Sequence, residues 1–258
     1  MSIFDEWPIP SWAREFTATE VRMLDGVVTL TLNRLDAANS RNQQMRDELR
    51  ATYRVVEQSD DVHVLVLRGK GEKFFCTGMD LKESATLQET LEEKRQRLSA
   101  ERDIEMLANL AQPTIAAING YALGGGLEMA MACDLRVAAS NAVMGLPEID
   151  HGFVPAGGGT IRLPVLVGRA KAMEMILLGQ RVGADEALAI GLVNRVVGQG
   201  ELDVTVLEMA QLLAARPLRA LREAKRLVRW NARRSRTEAL DDELDTLIAL
   251  MEEATLDR

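Results

Sequence analysis

The middle of the chain repeats one unit, in which a short apolar strand is followed by a glycine-rich loop and a helix-forming segment. Strands are predicted at 113–117 and 135–139, while the glycine triplets at 124–126 and 157–159 each precede an apolar helical stretch. Units of this order form right-handed crossovers, which build sheets of largely parallel strands. The pattern therefore predicts an α/β fold.

The first part of the chain adds a hairpin and a strand–helix–strand unit to this fold. At 21–32, apolar residues flank Asp25 and Gly26, a pair typical of a tight β-hairpin turn. Apolar positions at helical spacing in 42–59 predict a helix. The β-branched run at 63–67 predicts the strand that follows it.

Two later segments are predicted to be helical. The charged segment 87–110 has opposite charges at i, i+4 spacing, which is typical of one long, solvated helix. From Ala184 onward the pattern predicts almost only helices, with a break at Pro217. Amphipathic helices at the end of an α/β core often bury their apolar face against another subunit, so we expect self-association.

Composition and charge exclude several classes of function. The 258 residues are 47% hydrophobic and carry a net charge of −8, which argues against broad binding to nucleic acid or anionic membranes. There is no apolar run long enough to span a bilayer, and the N-terminal segment is acidic where a signal peptide would be basic. We therefore expect a cytoplasmic protein with neither a nucleic-acid nor a membrane partner.

Metal and thiol chemistry have little support in the sequence. Cys76 and Cys133 form no CxxC pair, and the only histidines are His63 and His151. A zinc site normally needs three or four such ligands, so no metal site is predicted. Cys76 has no histidine in its own motif and is not expected to be a nucleophile.

The glycine triplet at 124–126 has two interpretations. A helix N-terminus presents unpaired N–H groups, and glycine allows a ligand to approach them. The same glycines also permit close packing of a helix on a sheet. Neither triplet belongs to a GxGxxG fingerprint after a first strand or to a GxxxxGK[ST] loop, so nucleotide-binding loops of those kinds are excluded.

Two glutamates next to these loops favour a catalytic interpretation. Glu128 lies among apolar residues at the start of a helix, where an unpaired carboxylate is costly to bury. Glu148 follows 20 residues later, just before the second glycine loop (148 − 128 = 20). Two carboxyl groups beside glycine-lined loops are suited to act as acid and base on one substrate. Either one alone is more often a helix-terminus or surface charge.

Four separated segments carry a family resemblance. They are FFCTGMDLKE, AAINGYALGGGLEMAMACDLRVAA, PEIDHGFVPAGGGTIRLPVLVG and LLGQRVGADEALAIGLVNRVV. In this order and spacing they resemble the crotonase superfamily, and in particular its enoyl-CoA hydratases. The resemblance implies a spiral of ββα units at 1–198 that carries an acyl-CoA site. It also implies a helical region at 199–258 that builds homotrimers, commonly paired into hexamers.

The resemblance also implies roles for individual residues. The backbone N–H groups of Thr77 and Gly125 correspond to the oxyanion hole that holds the thioester oxygen. Glu128 corresponds to the group that activates water, and Glu148 to the group that exchanges the α-carbon proton, although a shared role is equally consistent. Coenzyme A is part of the substrate, and no separate cofactor is implied. The residues expected to bind substrate are Ala37, Ala38, Cys76, Gly78, Met79, Gly124 and Ala156.

The presence of both glutamates favours hydration of a 2-enoyl-CoA over related reactions. Isomerases of the superfamily generally keep only the acid that corresponds to Glu148. The alternatives are enoyl-CoA isomerisation, hydrolysis of a C–C or thioester bond, and, from other classes, RNA binding or a non-catalytic scaffold. The negative charge and the 4% content of aromatic residues argue against RNA.

Several positions depart from the family pattern. Leu35 replaces the usual proline, and Ala37 and Ala38 stand where cations would approach the nucleotide of coenzyme A, a role that Arg34 or Arg41 could take over. Ala156 replaces glycine beside the expected water site, and Ile161 replaces glutamine. His151, where the family is usually apolar, is either a third acid–base group or a partly exposed loop residue; we favour the latter.

Overall fold

The computed structural model describes residues 2–100, 102–231 and 234–256. Ten strands lie in the described part of the chain: β1 (Thr19–Leu24), β2 (Val27–Leu32), β3 (Val64–Gly69), β4 (Phe74–Cys76), β5 (Thr114–Ile118), β6 (Tyr121–Leu123), β7 (Leu135–Ala139), β8 (Val143–Gly145), β9 (Arg181–Gly183) and β10 (Arg195–Val197). They alternate with helices, as the sequence predicts for an α/β fold.

The same residues contain eleven α-helices: α1 (Gln43–Gln58), α2 (Leu81–Thr86), α3 (Leu91–Ala100), α4 (Asp103–Asn109), α5 (Gly125–Ala132), α6 (Gly159–Val167), α7 (Arg169–Leu177), α8 (Ala184–Ala189), α9 (Leu202–Ala214), α10 (Leu218–Asn231) and α11 (Arg236–Leu256). None of the helices within the described ranges is both long and apolar enough to cross a membrane.

The larger sheet has six strands in the order β1-β2-β3-β5-β7-β10. Only β1 runs antiparallel to its neighbour, and the β1–β2 hairpin turns at Asp25 and Gly26, whose φ angles are +48° and +77°. Positive φ at both central residues gives the turn whose twist matches that of the paired strands. The predicted hairpin is therefore confirmed.

The smaller sheet has the order β4-β6-β8-β9, with β4, β6 and β8 parallel. Three times the chain leaves a strand of the larger sheet and passes at once into the smaller one, from β3 to β4, from β5 to β6 and from β7 to β8. A helical segment then follows. This repetition is the predicted spiral of ββα units, and it brings the carboxyl ends of β4, β6 and β8 to one edge of the smaller sheet.

The last helices differ in their burial. Leu202, Val206 and Ala210 of α9 are buried in the same apolar cluster as side chains of the larger sheet. Helix α10 has no buried residue, although Lys225 reaches back to Asp134, with 2.6 Å between Nζ and Oδ2. The division of the chain into a core at 1–198 and an oligomerisation region at 199–258 stays a prediction.

Two elements differ from the pattern-based expectation. The charged segment 87–110 is not one helix, because α3 ends at Ala100 and α4 begins at Asp103, after Arg102 with the non-helical ψ angle of 53°. Asp103 is only 3% exposed, so it does not belong to a solvated face. Strand β10 interrupts the region expected to be helical, since pairing with β7 stabilises a three-residue strand too short to give a periodic signal.

Candidate active site

Three of the predicted site residues lie at the same edge of the smaller sheet. Thr77 follows β4, Gly125 lies two residues after β6, and Glu148 lies three residues after β8. Because β4, β6 and β8 are parallel neighbours, their carboxyl ends meet at this edge. Crevices at the carboxyl ends of parallel strands are where α/β proteins commonly bind ligands. The fold therefore brings together residues that are up to 71 positions apart in sequence (148 − 77 = 71).

The loops at this edge present two backbone N–H groups. Among the described residues, neither the N–H of Thr77 nor that of Gly125 donates a hydrogen bond. Gly125 is the first residue of α5, whose N-terminal dipole favours negative charge. Gly78 has a φ angle of +94°, and a Cβ atom built on it would lie 3.1 Å from the nitrogen of Gly125. The missing side chain at Gly78 thus leaves the space next to this amide open.

Glu128 lies in the first turn of α5 and is only 3% exposed. Its Oε1 accepts hydrogen bonds from the N–H groups of Gly157 and Gly159, at 2.7 and 2.8 Å. Gly159 is the first residue of α6 and Gly157 lies in the loop just before it, so both amides compensate the burial of the carboxylate. A Cβ atom at position 157 would lie 2.5 Å from Oε2 of Glu128, which explains the glycine there. The second oxygen, Oε2, accepts no hydrogen bond from the described residues.

Glu148 lies in a 3₁₀ turn, Pro147–His151, and its side chain lies next to Gly124. A Cβ atom at position 124 would be 3.1 Å from Oε1 of Glu148, while Oε2 is buried and has no hydrogen-bond partner among the described residues. Burial raises the pKa of Glu148 to about 7, and the negative charge of Glu128 adds to this rise, whereas a hydrogen bond with its own backbone opposes it. Glu148 can therefore hold a proton near neutral pH.

The pKa of Glu148 provides a test of the coupling between the two carboxyl groups. In Glu128→Gln we expect the pKa to fall below about 7, because one negative neighbour is removed, and to stay above 4.5, because burial persists. A ¹³C NMR titration of the side-chain carboxyl carbons measures this, with the Glu148 signal assigned by its loss in Glu148→Gln. Glu20→Gln, a carboxyl change on β1, serves as the control. An unchanged pKa in Glu128→Gln would contradict the coupling.

The structure also places a buried ion pair next to the first turn of α5. Arg41 and Asp103 are 8% and 3% exposed, and Nη1 of Arg41 lies 2.7 Å from Oδ2 of Asp103. A Cβ atom on Gly125 would lie 2.4 Å from Nη2 of Arg41. From the sequence, Arg41 is expected only as a possible contact for coenzyme A phosphates. Its guanidinium group instead lies inside the protein.

The remaining predicted site residues lie near this edge with differing exposure. Cys76 is fully buried, and burial raises the pKa of its thiol, which disfavours the nucleophilic thiolate. Met79 is 38% exposed, and Ala37 and Ala38 are half-buried. Ala156 is exposed. Their assignment to substrate binding stays a prediction.

Two further sequence expectations concern charged side chains. His151 is exposed, which agrees with its interpretation as a loop residue. Arg34 is paired with Asp80 at 2.9 Å and also donates to the carbonyl oxygen of Ser40. In the part of the chain that the structure describes, no group of three or more His, Cys, Asp or Glu side chains could hold a metal ion.

The chain is similar in sequence to a known protein family and to several characterised relatives. Residues 22–257 match the family model described as enoyl-CoA hydratase/isomerase. The short-chain-enoyl-CoA hydratase of Clostridium acetobutylicum is 37% identical over 228 residues, covering 88% of this chain and 84% of the relative. The crotonyl-CoA hydratase of Syntrophomonas wolfei is 37% identical over 199 residues, covering 77% and 76%.

Solved structures give the same result. The crystal structure of enoyl-CoA hydratase from Bacillus anthracis superposes with a TM-score of 0.87 at 37% identity, covering 92% of each chain. The resemblance to the crotonase superfamily is thereby confirmed, as is the predicted fold.

Proposed function

Because the chain belongs to the enoyl-CoA hydratase/isomerase family, we propose that it catalyses the reversible syn addition of water to a 2-enoyl-CoA thioester. Membership of the family implies an acyl-CoA thioester as substrate. The names of the relatives from Clostridium acetobutylicum and Syntrophomonas wolfei agree with hydration and with a short acyl chain. Coenzyme A enters as part of the substrate, and the proposal needs no further cofactor.

The thioester oxygen binds between the N–H groups of Thr77 and Gly125. When a nucleophile adds to the β-carbon, the electrons of the C=C bond move toward the carbonyl and negative charge develops on this oxygen. Donors that are already oriented toward that position stabilise the charge without reorganising. Two amides that have no acceptor within the described part of the chain, one of them at the start of α5, meet this requirement.

The two glutamates move one proton each. Glu128 accepts a proton from water as the water oxygen bonds to the β-carbon, and Glu148 donates its proton to the α-carbon. The pair therefore carries one proton before and after the reaction, shifted from Glu148 to Glu128, and exchange with solvent restores the starting distribution. In the reverse direction the roles interchange, as microscopic reversibility requires.

One observation carries this proposal: the two carboxyl groups at one edge of the sheet have opposite environments. Glu128 accepts two amide hydrogen bonds, which compensate the burial of its carboxyl group and orient it. Glu148 has a buried oxygen with no partner in the described ranges and a pKa raised to about 7, which favours the protonated form needed at the α-carbon. Such a separation of environments is typical of an acid and a base that act on one substrate.

The product formed from defined substrates tests the proposal. Crotonyl-CoA should be converted to 3-hydroxybutyryl-CoA, and the loss of the conjugated C=C absorbance together with mass analysis of the product measures this. A 3-enoyl-CoA is supplied in a parallel reaction. Conversion of the 3-enoyl-CoA to the 2-enoyl isomer, with no water added to crotonyl-CoA, would contradict hydration and favour the isomerase alternative.

Self-association as a homotrimer or hexamer forms part of the same proposal. The two C-terminal helices expose large apolar side chains, among them Val228 at 78% and Trp230 at 53%. Large apolar residues that are exposed on α11 include Leu240, Leu244, Leu247, Ile248 and Met251. Burial against other copies of the chain would remove this surface from water. Sedimentation equilibrium measures the mass, and a monomer at micromolar concentration would contradict this part.

A further inference from the structure

A charged group adjoins the two amides that we assign to the oxyanion hole. Arg41 is 8% exposed, so its guanidinium group does not serve as a surface charge. Burial by itself would lower the pKa of Arg41, but the negative charges of Asp103 and Glu128 raise it above its usual value. The side chain therefore stays cationic within a mostly buried environment.

Arg41 contacts both halves of the oxyanion hole. Its backbone N–H donates to the carbonyl oxygen of Gly78 at 2.7 Å, and its own carbonyl accepts from the N–H of Asp80 at 3.1 Å. These bonds fix the loop that carries the N–H of Thr77. The side chain extends to the other half, where Nη2 would lie 2.4 Å from a Cβ atom on Gly125. An alanine at position 125 would therefore collide with the guanidinium group.

One edge of the guanidinium group is fixed, while the other has no partner. Nη1 is held by Oδ2 of Asp103 at 2.7 Å. Among the described residues, Nε is buried without a hydrogen-bond acceptor. The hydrogen bond of the side chain to Asp103 uses Nη1 and not Nη2. Leaving donors of a buried cation unpaired is costly, so such an edge is suited to an oxygen atom that arrives with the substrate.

In the protein without substrate, the negative charge of Asp103 offsets part of the positive charge of Arg41. When the thioester becomes an enolate, a second negative charge develops beside Gly125, and the free edge of the guanidinium group can respond to it. An interaction that is stronger with the enolate than with the thioester lowers the reaction barrier. We propose that Arg41 is a third, positively charged component of the oxyanion hole, and that Asp103 positions it. This inference rests on the proposed function.

The main test compares Arg41→Met with Arg41→Lys, using crotonyl-CoA as substrate. For Arg41→Met we expect kcat to fall about 10–100-fold, less than the loss typical of a full oxyanion-hole donor because Asp103 already neutralises part of the charge. KM should change less than kcat, since the interaction strengthens only as the enolate forms. Arg41→Lys keeps a cation and should recover part of the rate.

A spectroscopic measurement distinguishes an electrostatic effect of Arg41 on the substrate from a purely structural role. A 4-(dimethylamino)cinnamoyl-CoA probe absorbs at longer wavelength when its carbonyl is polarised. We expect the unmodified protein to produce a red shift, Arg41→Met a smaller one, and Arg41→Lys an intermediate one. Arg68→Met is the matched control, because Arg68 is also a buried arginine, 6% exposed and paired with Asp203, but lies on β3. Its red shift should equal that of the unmodified protein.

A second variant keeps the test valid where Arg41→Met fails to fold. Removing one partner of a buried pair leaves Asp103 uncompensated, whereas Arg41→Leu/Asp103→Leu removes both charges and is tolerated better. The double variant should show the same reduced red shift and kcat. An undiminished red shift in either folded variant would overturn the inference.

Two further outcomes would also contradict the proposed role of Arg41. If Arg41→Met loses activity only toward an enoyl-CoA with a carboxylate on its acyl group, Arg41 recognises that carboxylate and the inference is overturned. If the unmodified protein neither hydrates crotonyl-CoA nor shifts the probe, both the proposed function and this inference fail. Normal hydration by the unmodified protein with no effect of Arg41→Met overturns the inference alone.

Discussion

Glu128→Gln is expected to reduce the hydration of crotonyl-CoA about 10²–10⁴-fold, the usual range for loss of a general acid or base. The amide oxygen of glutamine can still accept the hydrogen bonds of Gly157 and Gly159, so the fold and the geometry of the loop are preserved. The group can no longer accept a proton from water. The hydration rate, followed through the loss of conjugated absorbance, should therefore fall while the circular dichroism spectrum stays unchanged.

Glu148→Gln should reduce hydration by a similar factor but through the other proton. A saturated acyl-CoA, such as butyryl-CoA in D₂O, isolates this step, because its α-hydrogen can exchange with no addition to a double bond. We expect Glu128→Gln to retain the exchange and Glu148→Gln to lose it. Mass spectrometry of the recovered acyl-CoA measures the incorporated deuterium.

Two results would contradict this assignment of the glutamates. Near-normal hydration by either variant would show that its carboxyl group is not required. Loss of exchange in Glu128→Gln, with exchange retained in Glu148→Gln, would reverse the roles. Equal partial losses in both assays would agree instead with a shared role, which a strongly coupled pair of carboxyl groups permits.

The sequence predicts the parts of the fold that rest on local signals. Asp25 and Gly26 favour a turn with positive φ at both positions, and the hairpin there follows from local geometry. The glycines at 124–126 precede α5 as expected. Glu128 stands out in the sequence because it lies within an apolar run, and the structure accounts for it with two amides of a loop about 30 residues away.

Arg41 and Asp103 had no comparable signal in the sequence. Arg41 lies among polar residues, in NSRNQQM, where an arginine is usually solvated. Asp103, 62 positions further on, lies in a segment whose charges are typical of an exposed helix. Only the break between α3 and α4, together with the packing of α4 against α1 and α5, brings the two charges together. Such pairing depends on tertiary contacts that neither charge pattern nor periodicity encodes.

The raised pKa of Glu148 could not be predicted from the sequence either. Two glutamates near glycine loops indicate acid–base chemistry but do not say which one holds the proton. The raised pKa of Glu148 depends on its burial, and Glu128 by contrast accepts hydrogen bonds from two amides. Both arise only once α6 has packed against α5 and Glu148 has come to lie next to Gly124.

Gly78→Ala is expected to reduce kcat by about 10²–10³-fold, the typical cost of losing one oxyanion-hole donor. The added methyl group would lie 3.1 Å from both the nitrogen of Gly125 and the carbonyl oxygen of Leu123, where it obstructs the approach of the thioester oxygen. The φ angle of +94° also makes alanine strained at this position. Steady-state kinetics with crotonyl-CoA measures the first effect, and thermal unfolding measures the second.

Gly168→Ala is the control variant that distinguishes the effect of backbone strain from that of obstructing the oxyanion hole. Gly168 has a φ angle of +77°, and a Cβ atom there would meet nothing within 4 Å, so alanine is strained but blocks no group. Gly168 precedes α7 and is not one of the residues assigned to the site. Both variants should therefore unfold at lower temperature, while only Gly78→Ala should lose turnover and the red shift of the bound cinnamoyl probe. Retention of both in a folded Gly78→Ala protein would mean that the thioester oxygen binds elsewhere.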